Sequence, residues 1–260
     1  MKIGVMDSGL GGLIITKAFI EKLPQYDYVY FGDTKNLPYG DKKSTDVLQY
    51  TIDAVEFLIK KECKIIIIAC NTATSIALRY LQRKYMPKHH PDIKVLGVVV
   101  PTVETAIASS NKAIGVVATN STINSHIYRV EIEKINHKVK VFEVATPKLV
   151  PLIESGNFSK AETEIEKYLK EFGRIDCLIL GCTHYPILTP YFKKHLPKGV
   201  EVISQYEFMG DKLANYLQKH PEVESVLDKS GRHEFFVSFL TDKYQYMARK
   251  VIKGVRIKEA

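Results

Sequence analysis

The sequence predicts an α/β fold with parallel sheets. Apolar strand-like runs alternate with helix-like segments along almost the whole chain, as they do where strands are joined by crossover helices. Some runs, such as Ile65–Ile68, are apolar on both faces, which is typical of strands covered by helices on both sides. Cys70 and Cys182 each follow such a run and precede a polar, helix-starting segment. We therefore expect two pseudo-symmetric, doubly wound α/β halves that face one site.

The predicted elements follow from this alternation. The strands are Lys2–Met6, Tyr28–Gly32, Lys64–Ala69, Val95–Val99, Ala113–Ala118, Lys140–Ala145, Cys177–Leu180, Glu201–Ser204 and Glu234–Phe239. The helices, which carry apolar residues three and four positions apart, are Leu13–Phe19, Ser44–Leu58 with Ser44 as N-cap, Thr72–Lys84, Thr102–Ser109, Thr122–Ile135, Lys160–Phe172, Phe208–Leu217 and Asp242–Ile252. Functional residues are expected where parallel strands end, because loops converge there.

Length and composition indicate a globular protein. The 260 residues, 45% hydrophobic and 25% charged, are enough for two α/β lobes, each with its own core. The N-terminus has no long apolar signal core, and no run reaches the roughly 18 apolar residues of a membrane span. We therefore expect a cytoplasmic protein with no membrane partner. Its four cysteines should stay reduced, and they form no CxxC or zinc spacing, so no metal is expected.

The net charge of +8 raises the question of a nucleic-acid partner. The basic residues are scattered, with local concentrations at 84–91, 193–199 and 248–258, and no aromatic residues are interleaved at a recognisable binding spacing. We interpret them mainly as solvated surface and do not expect nucleic-acid binding. A secondary use of the same charge is the attraction of a small anionic substrate.

Two glycine-containing loops follow the first two strands. In the first, 7–12 (DSGLGG), the glycines allow backbone amides to approach a ligand, and Asp7 is a candidate amine partner or support for a base. Its spacing is neither a dinucleotide fingerprint nor a P-loop. The second loop, 31–40, ends in Pro-Tyr-Gly and could present the Tyr39 phenol and the Gly40 amide to a carboxylate. Taken alone, the first loop is equally explained as a turn, and the second is better explained as a turn.

The two cysteine segments carry the chemistry. Cys70 lies at a helix start, where the N-terminal dipole favours an anion and should lower the pKa of the thiol. The adjacent Asn71 and Thr72 are able to bind a polar ligand. In the second segment, His184 lies two residues after Cys182 and can orient or ionise that thiol. A cysteine with a nearby histidine also fits a cysteine hydrolase, so that reaction class stays open here.

The other two cysteines, Cys63 and Cys177, are interpreted as buried and inert. One further carboxylate, Glu154, follows an apolar run and is by itself a surface residue before a turn. If it lies near the second cysteine, it could hold His184 in position.

Taken together, these motifs resemble the glutamate racemase family of the aspartate/glutamate racemase superfamily. The ordered set is DSGLGG, GDTKNLPYG, ACNTA, VVPTVETA, LVPLIESG and LGCTHYP, within about the first 190 residues. The resemblance implies an isomerase that interconverts L- and D-glutamate without a cofactor and supplies D-glutamate for peptidoglycan, and therefore for the cell wall and cell shape. It also implies two domains with the active site in the cleft between them, and a homodimer is expected.

The resemblance also implies roles for individual residues. Cys70 and Cys182 would be the two catalytic acid/bases on opposite faces of the substrate Cα. Asp7 would support Cys70, whereas His184, with Glu154, would support Cys182. The substrate-binding residues would be Asp7, Ser8, Tyr39, Gly40, Asn71, Thr72, Thr183 and His184.

Residues 1–97 plus 208–260 are assigned to the first domain and 98–207 to the second. The chain departs from the family pattern after the strand at Glu201–Ser204, where many members carry an Asp-Ser-Gly-like turn and this chain has Ser204-Gln205-Tyr206-Glu207. Aspartate or another amino acid of the same superfamily remains the alternative substrate. A cysteine hydrolase leaves the second cysteine motif unexplained, and a non-catalytic binding role would not depend on the thiols.

Overall fold

Strands of two parallel sheets form the centre of the part that the computed structural model describes, residues 1–110 and 112–260. The first sheet contains β1 (Lys2–Asp7), β2 (Tyr28–Gly32), β3 (Cys63–Ile68), β4 (Lys94–Gly97), β9 (His233–Val237) and β10 (Ile257–Glu259), in the order β10-β9-β2-β1-β3-β4. The second contains β5 (Ala113–Ala118), β6 (Lys140–Ala145), β7 (Cys177–Gly181) and β8 (Glu201–Ile203), in the order β6-β5-β7-β8. The predicted α/β fold with parallel sheets is confirmed.

Helices follow most strands and cover the sheets. They are α1 (Gly11–Lys22), α2 (Ser44–Lys60), α3 (Asn71–Tyr80), α4 (Met86–His89), α5 (Val99–Ser109), α6 (Asn120–Asn124), α7 (Ile127–Ile135), α8 (Leu149–Glu154), α9 (Phe158–Leu169), α10 (Thr189–His195), α11 (Gln205–Lys219), α12 (Pro221–Glu224) and α13 (Asp242–Val251). Short 3₁₀ segments lie at Thr34–Asn36, Tyr39–Asp41 and Tyr185–Leu188, and a π-helical turn at Leu81–Tyr85. Within 1–110 and 112–260, no helix has both the length and the apolar character that a membrane span requires.

The two sheets repeat the same topology. The order β2-β1-β3-β4 in the first sheet corresponds to β6-β5-β7-β8 in the second. β1 lies between β2 and β3, as β5 lies between β6 and β7. Cys70 follows β3 and Cys182 follows β7. The two cysteines therefore occupy equivalent strand ends.

The chain crosses between the sheets through two helices. α5 follows β4 of the first sheet but packs on the second, where Val103 shares a core with strand residue Ile114. α11 follows β8 of the second sheet but packs on the first, where Leu213 shares a core with Ile3. Burial of one such side chain contributes about 1.5–3 kcal/mol, which holds each crossing helix on the sheet that it joins.

The first of these crossings corrects one predicted strand. The sequence predicts a strand over Val95–Val99, but β4 ends at Gly97 and α5 begins at Val99. Val98 already has helical backbone angles, and Pro101 lies in the first turn, where its missing N–H costs no hydrogen bond. The prediction for 98–99 is wrong because an apolar run buried at a crossing helix looks the same as a strand in sequence.

Two predicted helices are interrupted. The helix predicted over Thr122–Ile135 is split into α6 and α7 at His126, whose φ of 50° is left-handed. The helix predicted over Thr72–Lys84 ends at Tyr80 and continues as the π-helical turn. Apolar spacing does not reveal either break, because the apolar positions continue in step on both sides.

The remaining differences concern element ends and short elements. Lys43, not Ser44, is the N-cap of α2, while Ser204 lies beyond β8 and Phe239 beyond β9. The short elements β10, α4, α8, α10 and α12 lie outside the predicted bounds.

Candidate active site

A cavity of about 40 Å³ lies where strand ends of both sheets meet. Its lining residues follow strands of the first sheet (Ser8, Cys70, Asn71, Thr72), follow strands of the second (Thr119, Asn120, Pro147, Cys182, Thr183, His184), or belong to the segment 37–41 and to α8 (Val150, Pro151). Both predicted catalytic cysteines therefore line one cavity, each contributed by a different sheet. Among the predicted site residues, Asp7 and Glu154 lie behind this lining.

Cys70 is the N-cap residue of α3, and its thiol is buried. Sγ lies 3.7 Å from Ser8 Oγ and donates to it. Burial, and next the charge of Asp7, raise the pKa of the Cys70 thiol to about 12, against the opposing effects of the Ala73 amide and Ser8. The prediction that the helix N-terminus lowers this pKa is therefore wrong, because desolvation of the thiolate outweighs the helix dipole.

Asp7 is fully buried at the end of β1. Oδ2 accepts hydrogen bonds from the amides of Gly9 at 3.0 Å and Gly12 at 2.9 Å, and Oδ1 accepts one from Thr183 Oγ1 at 3.2 Å. Burial raises the pKa of Asp7 despite these bonds and the charge of His184. Asp7 therefore acts on Cys70 through its charge, and it links the first glycine loop to the second cysteine segment.

Two glycines of the first loop serve this link. The amides of Gly9 and Gly12 are bonded to Asp7, so, contrary to the expectation from sequence, these two amides do not face the substrate. A Cβ on Gly11 would collide with the Thr183 hydroxyl and would lie 2.7 Å from Nδ1 of His184. Glycine is thus required at 11 so that the start of α1 can lie directly against the second cysteine segment.

Cys182, His184 and Glu154 form a chain of contacts. Nδ1 of His184 lies 3.9 Å from Cys182 Sγ, and Nε2 lies 2.7 Å from Glu154 Oε1. The His184 side chain is 3% exposed and that of Glu154 is 26% exposed, so the ion pair is largely shielded from solvent. These are the contacts that the sequence suggested for these three residues, and their roles in catalysis stay a prediction.

The electrostatics of this chain favour a cationic histidine. Burial lowers the pKa of His184, but the hydrogen bonds with Cys182 and Glu154 and their charges outweigh it and raise the pKa well above its usual value. Burial likewise raises the pKa of Glu154, and the hydrogen bond and charge of His184 reverse the direction and keep it low. An imidazolium that donates Nε2–H to Glu154 presents its Nδ1–H to Cys182, where it stabilises a thiolate.

The Tyr39–Asp41 segment closes one side of the cavity. Tyr39 lines the cavity, but its hydroxyl donates to Asp33 at 2.7 Å, so the expectation that the phenol binds a carboxylate is wrong. The Gly40 carbonyl accepts a hydrogen bond from Ser121 Oγ at 2.6 Å, and Asp41 accepts one from Asn120 Nδ2 at 2.9 Å. This segment is therefore bonded to the start of α6, across the cleft.

Two threonines that the sequence analysis missed meet Thr72 across the cleft. Thr72 Oγ1 lies 2.8 Å from Thr119 Oγ1 and 3.3 Å from Thr122 Oγ1. Thr119 directly follows β5, so its position at a strand end was the available signal. Asn71 also reaches across and contacts Gln205 and Tyr128, which the motifs did not identify.

Over 1–110 and 112–260, no group of three or more His, Cys, Asp or Glu side chains is arranged to hold a metal ion. The chemistry available in the cavity is that of two thiols, hydroxyls, amides, one histidine and the Asp41 carboxylate. Opposed thiols from two sheets can act on two faces of one small molecule.

Residues 3–207 of the chain match the sequence pattern of one protein family, the Asp/Glu/hydantoin racemases. The chain is 38% identical over 260 residues to a glutamate racemase of Caldanaerobacter subterraneus subsp. tengcongensis, an alignment that covers 97% of this chain and 91% of the relative.

Solved structures of glutamate racemases share the whole fold. A glutamate racemase of Bacillus anthracis aligns with a TM-score of 0.89 at 32% identity, over 100% of this chain and 96% of that one. A glutamate racemase of Francisella tularensis, solved with D-glutamate, aligns with a TM-score of 0.87 at 32% identity, over 99% and 95% of the two chains.

Proposed function

The chain belongs to the Asp/Glu/hydantoin racemase family, and on that premise we propose that it is a glutamate racemase that interconverts L- and D-glutamate without a cofactor. The proposed reaction breaks the Cα–H bond on one face of glutamate and forms a new one on the other face. The relatives named above, at 32–38% identity over nearly the whole chain, support glutamate as the substrate.

The observation that carries this proposal is the pair of thiols in one cavity. Cys70 and Cys182 come from equivalent strand ends of different sheets and line the same small cavity. A base on one face of a carbon and an acid on the other face can together invert that carbon. A hydrolase needs a single nucleophile, so it leaves one of the two thiols without a use.

The two thiols begin the reaction from different electrostatic settings. Cys70 is held protonated by burial and by Asp7, whereas the cationic His184 supports a thiolate at Cys182. In this state Cys182 takes the α-proton of one enantiomer, and the Cys70 thiol delivers its proton to the opposite face. The reverse reaction starts from the opposite protonation pattern.

Binding of glutamate in this cavity requires hydrogen-bond donors and an opening. Ser8, Asn71, Thr72 and Thr183 line the cavity and supply the polar groups for the carboxylates and the ammonium group. A cavity of about 40 Å³ holds a few water molecules at most, so glutamate enters after the cleft opens. The contacts of Gly40 with Ser121 and of Asp41 with Asn120 span the cleft and must break in this step.

The wider assignments follow from the family and are part of the proposal. The enzyme supplies D-glutamate for peptidoglycan synthesis in the cytoplasm and acts as a homodimer. Its domains are 1–97 with 208–260, and 98–207, with the active site between them. The packing of α11, which begins at Gln205, on the first sheet supports a return of the chain to the first domain close to this point.

The test is a racemisation assay on dialysed protein with no cofactor or metal added. Glutamate, aspartate and alanine are compared as substrates, and wild-type protein is compared with Cys70→Ala and Cys182→Ala. Cys63→Ala and Cys177→Ala are matched controls, because these residues are also fully buried and begin the same two strands, β3 and β7.

We expect glutamate to be racemised by wild type and both controls, and both cleft variants to be inactive. Full activity of either cleft variant would exclude the two-thiol assignment. Faster turnover of aspartate than of glutamate would change the substrate but not the mechanism, and dependence on one cleft cysteine alone would favour the hydrolase.

A further inference from the structure

Gln205, the first residue of α11, belongs to a buried hydrogen-bond cluster behind the cavity. Its side chain is fully buried and pairs with Asn71 through two bonds. Asn71 Nδ2 donates to Gln205 Oε1 at 3.0 Å, and Gln205 Nε2 donates to Asn71 Oδ1 at 3.1 Å. Three further contacts complete the cluster. Gln205 Nε2 donates to Thr102 Oγ1 at 3.0 Å and lies 3.5 Å from the Tyr128 hydroxyl, and that hydroxyl donates to Asn71 Oδ1 at 2.6 Å.

The direction of every bond in this cluster is fixed by one backbone carbonyl. The Thr102 hydroxyl lies 2.6 Å from the carbonyl oxygen of Val98, which can only accept, so the hydroxyl proton is committed to it. Thr102 Oγ1 must therefore accept from Gln205, which identifies the atom facing it as Nε2. Oε1 of Gln205 then faces Asn71 and must receive a donor, so Asn71 Nδ2 is turned towards Gln205.

This fixed direction determines what Asn71 offers to a ligand. Its Oδ1 accepts from both Gln205 and Tyr128, which uses its two lone pairs. One hydrogen of Nδ2 is bonded to Gln205, and the second is left for the cavity that Asn71 lines. Asn71 thus presents a donor and no acceptor, which suits a carboxylate oxygen of the substrate and not its ammonium group.

The cluster also lies at both crossings between the sheets. Gln205 lies just after β8, where the chain returns to the first sheet. Thr102 lies in the first part of α5, just after the chain has left the first sheet. The bond between them joins the two crossings, and the bonds to Asn71 connect this junction to the residue next to Cys70.

We propose that Gln205 is a positioning residue that holds the Asn71 amide with its donor towards the substrate carboxylate. This inference rests on the proposed racemase function and deepens it. Gln205 acts only through Asn71 and does not contact the reacting atoms. Without it, the Asn71 amide loses two of its bonds and is free to turn its oxygen towards the carboxylate.

The experiment compares Gln205→Met, Gln205→Glu and Tyr128→Phe with wild type. Methionine keeps the volume and removes the amide, glutamate keeps the shape but removes the donor to Asn71 and Thr102, and phenylalanine removes one donor to Asn71. Gln245→Met is the matched control, since the Gln245 side chain likewise donates and accepts hydrogen bonds, in its case with the Val255 carbonyl and the Ile257 amide. Racemisation kinetics, binding of D-glutamate by calorimetry and Tm are measured for each.

We expect Gln205→Met to weaken D-glutamate binding and kcat/KM by about tenfold to hundredfold, the loss associated with one hydrogen bond to a charged group. Most of the loss should appear in KM. Gln205→Glu should lose at least as much, and Tyr128→Phe a smaller part. The control should lower Tm to a similar extent with KM unchanged.

The inference is overturned if wild type racemises glutamate and either Gln205 variant binds D-glutamate as tightly as wild type. It is also overturned if the Gln245→Met control raises KM as much as Gln205→Met does, because that would indicate a general effect of stability. If wild type binds D-glutamate without racemising it, the proposed function fails, whereas a binding loss in Gln205→Met, Gln205→Glu and Tyr128→Phe that is absent from Gln245→Met still supports the positioning role.

Discussion

Neutralising Glu154 should impair the second cysteine in a pH-dependent way. Glu154→Gln keeps the shape and the hydrogen-bond acceptor of the side chain and removes only its charge. The carboxylate lies 2.7 Å from His184 Nε2, and the histidine is almost fully buried. The substitution therefore removes the negative charge next to the buried His184 cation and leaves Cys182 as its remaining partner.

The size of the effect follows from this geometry. At 2.7 Å and an effective dielectric constant of about 20, the Coulomb attraction is about 6 kcal/mol. Desolvation of both groups offsets most of it, and a hydrogen bond to a charged group contributes a net of about 1.5–3 kcal/mol. This corresponds to a decrease of about tenfold to hundredfold in the population of the His184 cation wherever that population is limiting.

The sign of the pH dependence is fixed by the direction of the His184 shift. The raised pKa of His184 means that Glu154 supports the charged form, and this support matters most at high pH, where an unsupported imidazole is neutral. Glu154→Gln should therefore reduce kcat/KM about tenfold or more near pH 9, and the deficit should shrink towards pH 6. The alkaline limb of the pH profile moves to lower pH.

The assay is circular dichroism of glutamate during racemisation, recorded for wild type and variant across this pH range. Glu162→Gln is the matched control, because Glu162 contacts His195 Nε2 at 2.8 Å in an equivalent pair away from the cavity. A Glu154→Gln enzyme with wild-type activity throughout, or with a deficit that does not vary with pH, would refute the reasoning about His184.

Three further predictions concern the loops around the cavity. Gly11→Ala should destabilise the protein by about 1–3 kcal/mol and reduce kcat/KM at least tenfold, because the added Cβ meets Thr183 and His184. Gly9→Ala should be tolerated, since its Cβ meets only the flexible end of the Leu37 side chain. Thermal unfolding and racemisation kinetics are compared for the two variants. Asp7→Asn should be inactive yet have a higher Tm than wild type at alkaline pH, with the gap closing as pH falls. The raised pKa of Asp7 means that its contribution to stability is present at low pH and is lost as pH rises through that pKa. Gly40→Ala should raise KM, because its Cβ would lie 2.8 Å from Thr119 Cβ and hinder closure of the cleft; an unchanged KM would contradict the closure step.

The fold and the pair of cysteines were predictable from sequence because both depend on local patterns. Apolar runs such as Ile65–Ile68 mark buried parallel strands, and Cys70 and Cys182 follow such runs directly. The contact of His184 with Cys182 follows from a spacing of two residues. Strand ends in parallel sheets converge, so residues at those ends could be placed near one cavity without knowing the packing.

The rest depends on contacts between distant segments. The thiol pKa of Cys70 was predicted in the wrong direction because burial and the charge of Asp7 outweigh the helix dipole. The Tyr39 hydroxyl was assigned to the substrate although Asp33 binds it. Gln205 stood out only as a departure from the family pattern, because its partner Asn71 lies 134 positions away.

The central claim is that two different thiols act on the two faces of the substrate Cα, and one measurement tests it directly. Wild-type protein is given L-glutamate in deuterium oxide, and both enantiomers are separated at low conversion and analysed for α-deuterium. We expect D-glutamate with deuterium at Cα and recovered L-glutamate that still carries protium, because the proton is removed by one thiol and delivered by the other. Deuterium appearing in recovered L-glutamate as fast as D-glutamate forms would contradict the two-thiol account and indicate a single base that serves both faces.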